Sequence, residues 1–353
     1  MLRCPACDST FEDRWRCSCG HPLEFAERPL PDADTPADVD PRDGLWAFDS
    51  FLPVDRHVSL GEGWTPLVRA EGWDAEFKLD YVFPTGSFKD RGAALTLSRA
   101  AELGVETVVE DSSGNAGAAI ATYAARAGID ARIFVPATVK ASKVRAIERA
   151  GATVERIEGS REAVTEACVA AVERGEGWYA SHAWNPAFFA GTATMAYEIA
   201  AQRDWSVPDA VVLPLGHGTM FLGASRGFTA LYEAGWTDRV PRLLGAQAEG
   251  YAPIADELHP STDARNDLAD GIQIREPVRR DEILDAIEAT DGDAVAVSSG
   301  ATERELDRLH RAGVYTEPTC AVAPAALEAY RERGVLDEGA DVVVALSGSG
   351  LKG

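Results

Sequence analysis

Four loops in this chain carry residue types that could hold an anion or handle protons. Gly216-His217-Gly218-Thr219 follows an apolar run, Ala210 to Leu213, and precedes a helical stretch from Met220 onward. Glycines there let backbone N–H groups approach an anion, and the start of a helix favours negative charge. No Lys-Ser/Thr pair follows, so this is not a Walker nucleotide loop, and Phe221 breaks a full Gly-x-Gly-x-x-Gly pattern. In Pro84-Thr85-Gly86-Ser87-Phe88-Lys89-Asp90-Arg91-Gly92 a lysine stands just past a Pro-Thr-Gly turn, at an expected helix start. The positive end of a helix dipole disfavours the ammonium form and so favours a neutral, nucleophilic amine. The plain alternative is an exposed lysine paired with Asp90. The chain has only five lysines (Lys78, Lys89, Lys140, Lys143 and Lys352), which weighs against that alternative. Two further loops are rich in small residues. Ser112-Ser113-Gly114-Asn115-Ala116-Gly117 follows VVED, and Ser347-Gly348-Ser349-Gly350 follows VVVAL. Any one strand-end loop is also an ordinary tight turn. Three of them, at 112, 216 and 347, at the strand ends of one sheet point to a ligand site.

The N-terminus carries a different chemistry. Cys4-x2-Cys7 and Cys17-x-Cys19 lie nine residues apart, and four thiolates can close a tetrahedral zinc site. Because Cys-x-Cys is tight, His21 is a substitute ligand, and free thiols in a small frayed segment are the alternative. Cys168 and Cys320 fall in helical runs and read as core. His57, His182, His259 and His310 show no metal spacing and read as structural.

These residues need a scaffold, and the periodicity supplies one. Expected strands are Val105 to Glu110, Ala131 to Val135, Thr153 to Ile157, Ala210 to Leu213, Leu243 to Ala246, Ala294 to Val297 and Val342 to Leu346. Helices are expected at Ala116 to Ala127, ending at Gly128, at Ser142 to Ala150 and at Arg161 to Arg174. Strands alternating with helices predict an α/β fold of βαβ units with a mostly parallel sheet. The expected division is a zinc-ribbon-like segment at 1–25, a Pro-rich acidic linker at 26–45 and a catalytic region at 46–353.

The order of these segments resembles that of pyridoxal-phosphate enzymes of the tryptophan synthase β-subunit fold, and most closely the threonine synthase family. The resemblance runs over about residues 57–353. It rests on Leu60-Gly61-Glu62-Gly63-Trp64-Thr65-Pro66-Leu67, PTGSFKDRG, Ala196-Tyr197-Glu198-Ile199, Glu317-Pro318-Thr319 and Gly350-Leu351-Lys352. It implies two open, mostly parallel sheets with flanking helices, the smaller α/β subdomain at about 93–200 inserted in the larger. It implies that Lys89 forms a Schiff base with pyridoxal phosphate and then shuttles protons. Asn115 would bond the cofactor's 3′ oxygen. Gly216, His217, Gly218 and Thr219 would hold its phosphate, and Ser347 would meet the pyridine nitrogen. Thr85, Ser112, Ser113 and Gly114 would hold the substrate carboxylate, and Arg91 and Lys143 would anchor a distal anionic group, with surface or structural ion pairs as the alternative for each. The implied reaction converts O-phosphohomoserine and water to threonine and phosphate, in a homodimer.

The sequence also departs from that family's pattern. Phe83, His217, Ala190 and Ala193 replace residues common in the family, and Ser-Ser-Gly-Asn-Ala-Gly stands for Ser-Thr-Gly-Asn-Thr. A serine or threonine dehydratase, or a β-replacement enzyme, is therefore the alternative reading. A non-catalytic ligand-binding scaffold is the alternative of another class.

Composition bounds the partners. The 353 residues carry a formal net charge of −23, with 57 acidic against 34 basic side chains. That excess argues against nucleic acid and against an anionic membrane surface as partners. No apolar run approaches a spanning helix, and the N-terminus carries no signal-peptide pattern. Six cysteines are too sparse for a disulfide scaffold, so a reducing cytoplasm is expected. With arginine largely replacing lysine, the acidic surface reads as adaptation to a salt-rich interior more than as solubility alone.

Overall fold

The computed structural model describes residues 1–31, 36, 38–261 and 264–352. Residues 32–35 and 37 of the expected linker lie outside the described residues. The chain divides into two compact units. One comprises Met1–Leu30, Val39–Gly63 and Lys89–Thr192; the other is built mainly of Trp64–Phe88 and Ala193–Gly353.

The first unit is centred on a four-stranded parallel sheet in the order Thr153–Ile157, Asp130–Pro136, Thr107–Glu110, Trp178–Tyr179. Its strands are short and β-branched, and helices of nine or more residues separate the first three. That is the pattern of right-handed βαβ crossovers. Helix Asn115–Ala127 stops where Gly128 takes a left-handed conformation and its amide caps Ala124 and Ala125. Val109, Phe134, Val164, Cys168, Ala171 and Tyr179 form the core on one face of the sheet. The N-terminal segment adds a small antiparallel sheet, Thr10–Phe11, Leu2–Arg3, Glu24–Phe25, over Leu2, Cys4, Cys17 and Leu23. It is seated by Trp15, whose ring meets Tyr179 and Trp184 edge-on at centroid distances of 5.4 and 5.1 Å.

The second unit holds a six-stranded sheet in the order Asp293–Val297, Arg242–Ala248, Ala210–Pro214, Val342–Ala345, Ala75–Lys78, Leu67–Ala70. All neighbours are parallel except the last pair. Ala210–Pro214 is buried along its whole length, which is why it reads as a continuous apolar run. Each fully buried valine or leucine there contributes about 1.5–3 kcal/mol.

The architecture is α/β with two open, mostly parallel sheets, as expected, and the strand ends agree within a residue or two. The arrangement of the loops differs from expectation. The 216 and 347 loops leave the six-stranded sheet, whereas the serine loop at 112 leaves the four-stranded one. Among the described residues no helix is long and apolar enough to cross a membrane.

Candidate active site

In the first unit Lys89 opens helix Lys89–Glu102, where the sequence placed it. Its ammonium lies 5.6 Å from the centroid of the Phe188 ring, a cation–π contact that replaces water on one side. The neighbouring Asp90 is fully buried and accepts from the Tyr123 hydroxyl at 3.4 Å. Tyr123 also reaches Glu62 at 3.2 Å, and Trp46 Nε1 donates to Glu62 at 2.9 Å. Burial, with Asp90 and Glu62 alongside, raises the Tyr123 phenol, so it stays a donor. Arg91 is fully buried on the same helix. Lys143 stands half-buried near the start of helix Ala141–Arg149.

The serine loop joins strand Thr107–Glu110 to helix Asn115–Ala127. Ser112 Oγ accepts from the Gly114 amide at 3.3 Å. The turn closes so tightly that a Cβ on Gly117 would sit 1.9 Å from the Ser112 carbonyl oxygen, so only glycine fits. No acidic side chain occupies the first turn of this helix. Its first amides, which no intrahelical carbonyl can take, therefore suit a carboxylate. Ser112, Ser113, Gly114 and Asn115 are consecutive at that helix start.

Two residues that the sequence reading did not assign to the site stand beside this loop. Glu110, the last residue of its strand, is fully buried, and its Oε1 lies 2.6 Å from Nδ1 of His182. Its Oε2 has no hydrogen-bond partner among the described residues. Burial first, then Asp111, push the Glu110 carboxyl well above its ordinary range, while Lys89 pulls the other way. A polar residue closing the apolar run Val108-Val109 was the available signal.

The second unit carries the other loops. Gly216, Gly218 and Thr219 are buried, and Gly218 precedes helix Thr219–Glu233 in a left-handed conformation (φ 82°). A Cβ on Gly218 would meet Ile283 Cδ1 at 2.6 Å. No acidic side chain enters that helix's first turn either, so its first amides, like those of the serine-loop helix, suit an anion. Ser347 is buried, and its amide donates to the Cys320 thiol at 3.2 Å. The Phe88 amide donates to the Ser347 carbonyl at 3.0 Å, and the Ser349 amide to the Gly86 carbonyl at 2.9 Å. The Pro-Thr-Gly turn bearing Thr85 is thereby stitched to the C-terminal serine loop.

The four N-terminal thiols converge. All four Sγ atoms lie within 4.8 Å of one another, with Cys4–Cys19 at 3.6 Å and Cys7–Cys17 at 3.4 Å. A tetrahedron with arms of about 2.3 Å has edges of about 3.8 Å, so the spacing suits zinc. Hydrogen bonding with the Ser9 side chain and backbone lowers the Cys7 thiol to about 6, which favours the ligating thiolate. His21 is not among the converging ligands.

Comparison with known proteins gives these parts a family. Residues 58–348 match the profile of the pyridoxal-phosphate dependent enzymes. A threonine synthase of Methanocaldococcus jannaschii is 32% identical over 377 aligned positions, covering 100% of this chain and 93% of that protein. One from Methanosarcina acetivorans is 34% identical over 87% of this chain and 80% of its own length. The chain belongs to the threonine synthase family of pyridoxal-phosphate-dependent enzymes. Among solved structures, a bacterial threonine deaminase superposes with a TM-score of 0.67 at 26% identity, covering 81% of this chain and 92% of that one. Maize serine racemase gives 0.69 at 21% identity, over 81% and 88%, which speaks to the fold alone.

The chain is accordingly a pyridoxal-phosphate-dependent lyase, and its residues suit that family's cofactor. A side chain at Gly218 would run into Ile283, so the turn keeps its backbone bare, the amides behind it are unopposed by any acid in that first turn, and Lys89 supplies a primary amine that arginine could not.

Proposed function

We propose that this enzyme converts O-phosphohomoserine and water to threonine and phosphate. The observation that carries the reading is the likeness to threonine synthases across the whole chain, with Lys89 opening its helix. When bound, pyridoxal phosphate supplies an electron sink for the substrate's α-carbon. Lys89 would hold the cofactor covalently and then move protons at the substrate's α- and β-carbons. The amides of Gly216, His217, Gly218 and Thr219 would hold the cofactor phosphate, and Asn115 its 3′ oxygen. Ser347 would meet the pyridine nitrogen with a hydroxyl, which does not enforce a full positive charge there. Ser112, Ser113, Gly114 and Thr85 would hold the substrate carboxylate, and Lys143 its distal phosphate.

Purified protein incubated with pyridoxal phosphate is expected to gain visible absorbance from the lysine-bound cofactor, and Lys89→Ala to lose it together with at least about 10³-fold of the activity. Absence of that absorbance in the wild type sinks the enzymatic reading and leaves a ligand-binding scaffold. The second reading is a serine or threonine dehydratase, or a β-replacement enzyme. It is favoured by the likeness to a threonine deaminase and by Phe83, Ala190, Ala193 and His217. Phosphate and threonine release from O-phosphohomoserine, set against ammonia release from serine or threonine, separates the two.

We also assign one structural zinc to Cys4, Cys7, Cys17 and Cys19, within a ribbon at 1–25 joined by the 26–45 linker to the catalytic region. Metal analysis of protein prepared without chelators should find about one zinc per chain; much less refutes the assignment. A cytoplasmic homodimer, its acidity matched to a salt-rich interior and with neither nucleic acid nor membrane as partner, completes the proposal.

A further inference from the structure

The four-stranded sheet brings together two ionisable side chains for which neither the fold nor the family reading has a use. Strand Trp178–Tyr179 runs parallel to Thr107–Glu110, and the Ala180 amide donates to the Val109 carbonyl at 2.9 Å. His182 and Glu110 therefore emerge side by side at the carboxyl ends of neighbouring strands, where α/β sheets bind their ligands. Glu110 is fully buried and His182 is 6% exposed. The 2.6 Å separation of Oε1 and Nδ1 is that of a charge-assisted hydrogen bond. The His182 ring packs edge-on against Phe188 at 6.1 Å, and the same Phe188 carries the Lys89 ammonium on its face at 5.6 Å.

The adjacent acid is half-buried and has both of its oxygens partnered. Asp111 accepts from the Thr165 hydroxyl at 2.6 Å and the Tyr179 hydroxyl at 3.0 Å, with one bond to each oxygen. Glu110 uses Oε1 and leaves Oε2 with no hydrogen-bond partner among the described residues. A fully buried carboxylate with half its bonding capacity unused is costly unless it keeps a proton. The charged and titratable groups whose fields reach it are Asp111 on its own strand end, Lys89 and Arg161 at two helix starts, Cys168 on helix Arg161–Glu173 and Tyr179 on the neighbouring strand. Asp111 works against ionisation of Glu110, whereas Lys89 and Arg161 favour it.

We propose that Glu110 is a positioning residue that orients His182 through Nδ1 and holds with it one shared proton beside Lys89, a reserve for the proton transfers of the amino-acid reaction. The role rests on the reading that Lys89 performs amino-acid chemistry. The pairing itself does not, and the experiment keeps the two apart. Glu110→Gln preserves the shape and an acceptor for Nδ1–H but cannot share a proton. In wild-type enzyme, NMR of ring-labelled histidine should show a strongly downfield Nδ1–H resonance that persists through neutral pH. In Glu110→Gln that resonance should move to the ordinary imidazole position, and in His182→Gln it should vanish. With whichever amino acid the wild type turns over, kcat of Glu110→Gln should fall at least about tenfold at little change in KM. Its high-pH limb should move to lower pH, because the proton is no longer held by a carboxylate.

A wild type lacking the downfield resonance refutes the shared proton whether or not the enzyme makes threonine. A Glu110→Gln enzyme that loses the resonance yet keeps the wild-type kcat profile refutes its use in the reaction. Failure of every substrate, with the resonance intact, counts against the reading of Lys89 and in favour of the pair.

Discussion

Two buried glutamates, one in each unit, make opposite use of their burial. Glu198 and Glu110 are both fully buried. Glu198 Oε2 takes the Lys78 ammonium at 2.7 Å and the Thr65 amide at 3.1 Å. Lys78 in turn donates to the Thr65 carbonyl at 2.7 Å and to Gln202 at 2.8 Å, while the Thr65 hydroxyl bonds Asp80 at 2.6 Å. Every charge has a partner of opposite sign or a dipole, and the cluster pins strand Ala75–Lys78 and the Thr65-Pro66 segment in place. Glu110 has the His182 imidazole on Oε1 and, among the described residues, no partner on Oε2. A closed network of the first kind specifies structure, and an open one of the second kind is tolerable only where a proton is put to use.

The largest effect should come from breaking the closed network. Lys78→Met leaves Glu198 buried without its cation, which costs about 3–5 kcal/mol. Thermal melts should show Tm falling by about 6 °C or more. Glu110→Gln, measured at about pH 6, should cost less than about 1 kcal/mol, since it removes an unsatisfied acid rather than a satisfied one. Equal losses in the two variants would erase the distinction between the sites.

The next test uses pH. A shared proton that the folded pair keeps and the unfolded chain gives up means that the unfolded state binds fewer protons above the ordinary histidine value of about 6.5. Stability from this pair is therefore present at low pH and lost as pH rises toward the folded value, which for Glu110 is raised by burial and by Asp111. Wild-type stability should decline as pH rises above about 6.5, by up to about 1.4 kcal/mol per pH unit, and Glu110→Gln should decline less. Denaturant melts across that range check the sign. A variant that loses stability faster than the wild type overturns it.

The contrast also marks what could be read from the sequence. The parallel sheets were legible because β-branched runs such as Val342-Val343-Val344 alternate with alanine-rich helices, and burial on both faces leaves no polar interruption. Lys89, the serine loop and the glycine turn were legible because each is a short local pattern with its own backbone physics. The edge strand Leu67–Ala70 and its neighbour Ala75–Lys78 were not, since arginine, glutamate and lysine interrupt them and Ala75–Lys78 pairs on its other side with a strand more than 260 residues away. Glu110 and His182 escaped for the same reason. They are 72 residues apart, and only the register between two neighbouring strands makes them a pair. Nothing in the spacing around His182 resembles a ligand set, so a structural role was the natural inference from sequence.

The smallest effect probes how the open site is braced. Asp111, beside Glu110, accepts from the hydroxyls of Tyr179 and Thr165. Tyr179 in turn lies against Trp15 of the cysteine-rich segment, as does Trp184, two residues past His182. Trp178 Nε1 adds a bond to Asp13 at 2.8 Å, and Arg16 an exposed ion pair to Glu173 at 3.3 Å. Surface pairs of that kind contribute little, so the aromatic contacts carry the seat. Trp15→Ala removes two edge-on ring pairs worth about 0.5–1.5 kcal/mol each beyond their buried area. The cysteine-rich segment should then be cut faster by protease, while the Lys78–Glu198 cluster, in the other unit, keeps its protection against hydrogen exchange. With Tyr179 less firmly held, the downfield Nδ1–H signal of His182 should broaden without shifting. A sharp, unmoved resonance in Trp15→Ala would show that the strand register alone braces the pair, and that the cysteine-rich segment contributes nothing to it.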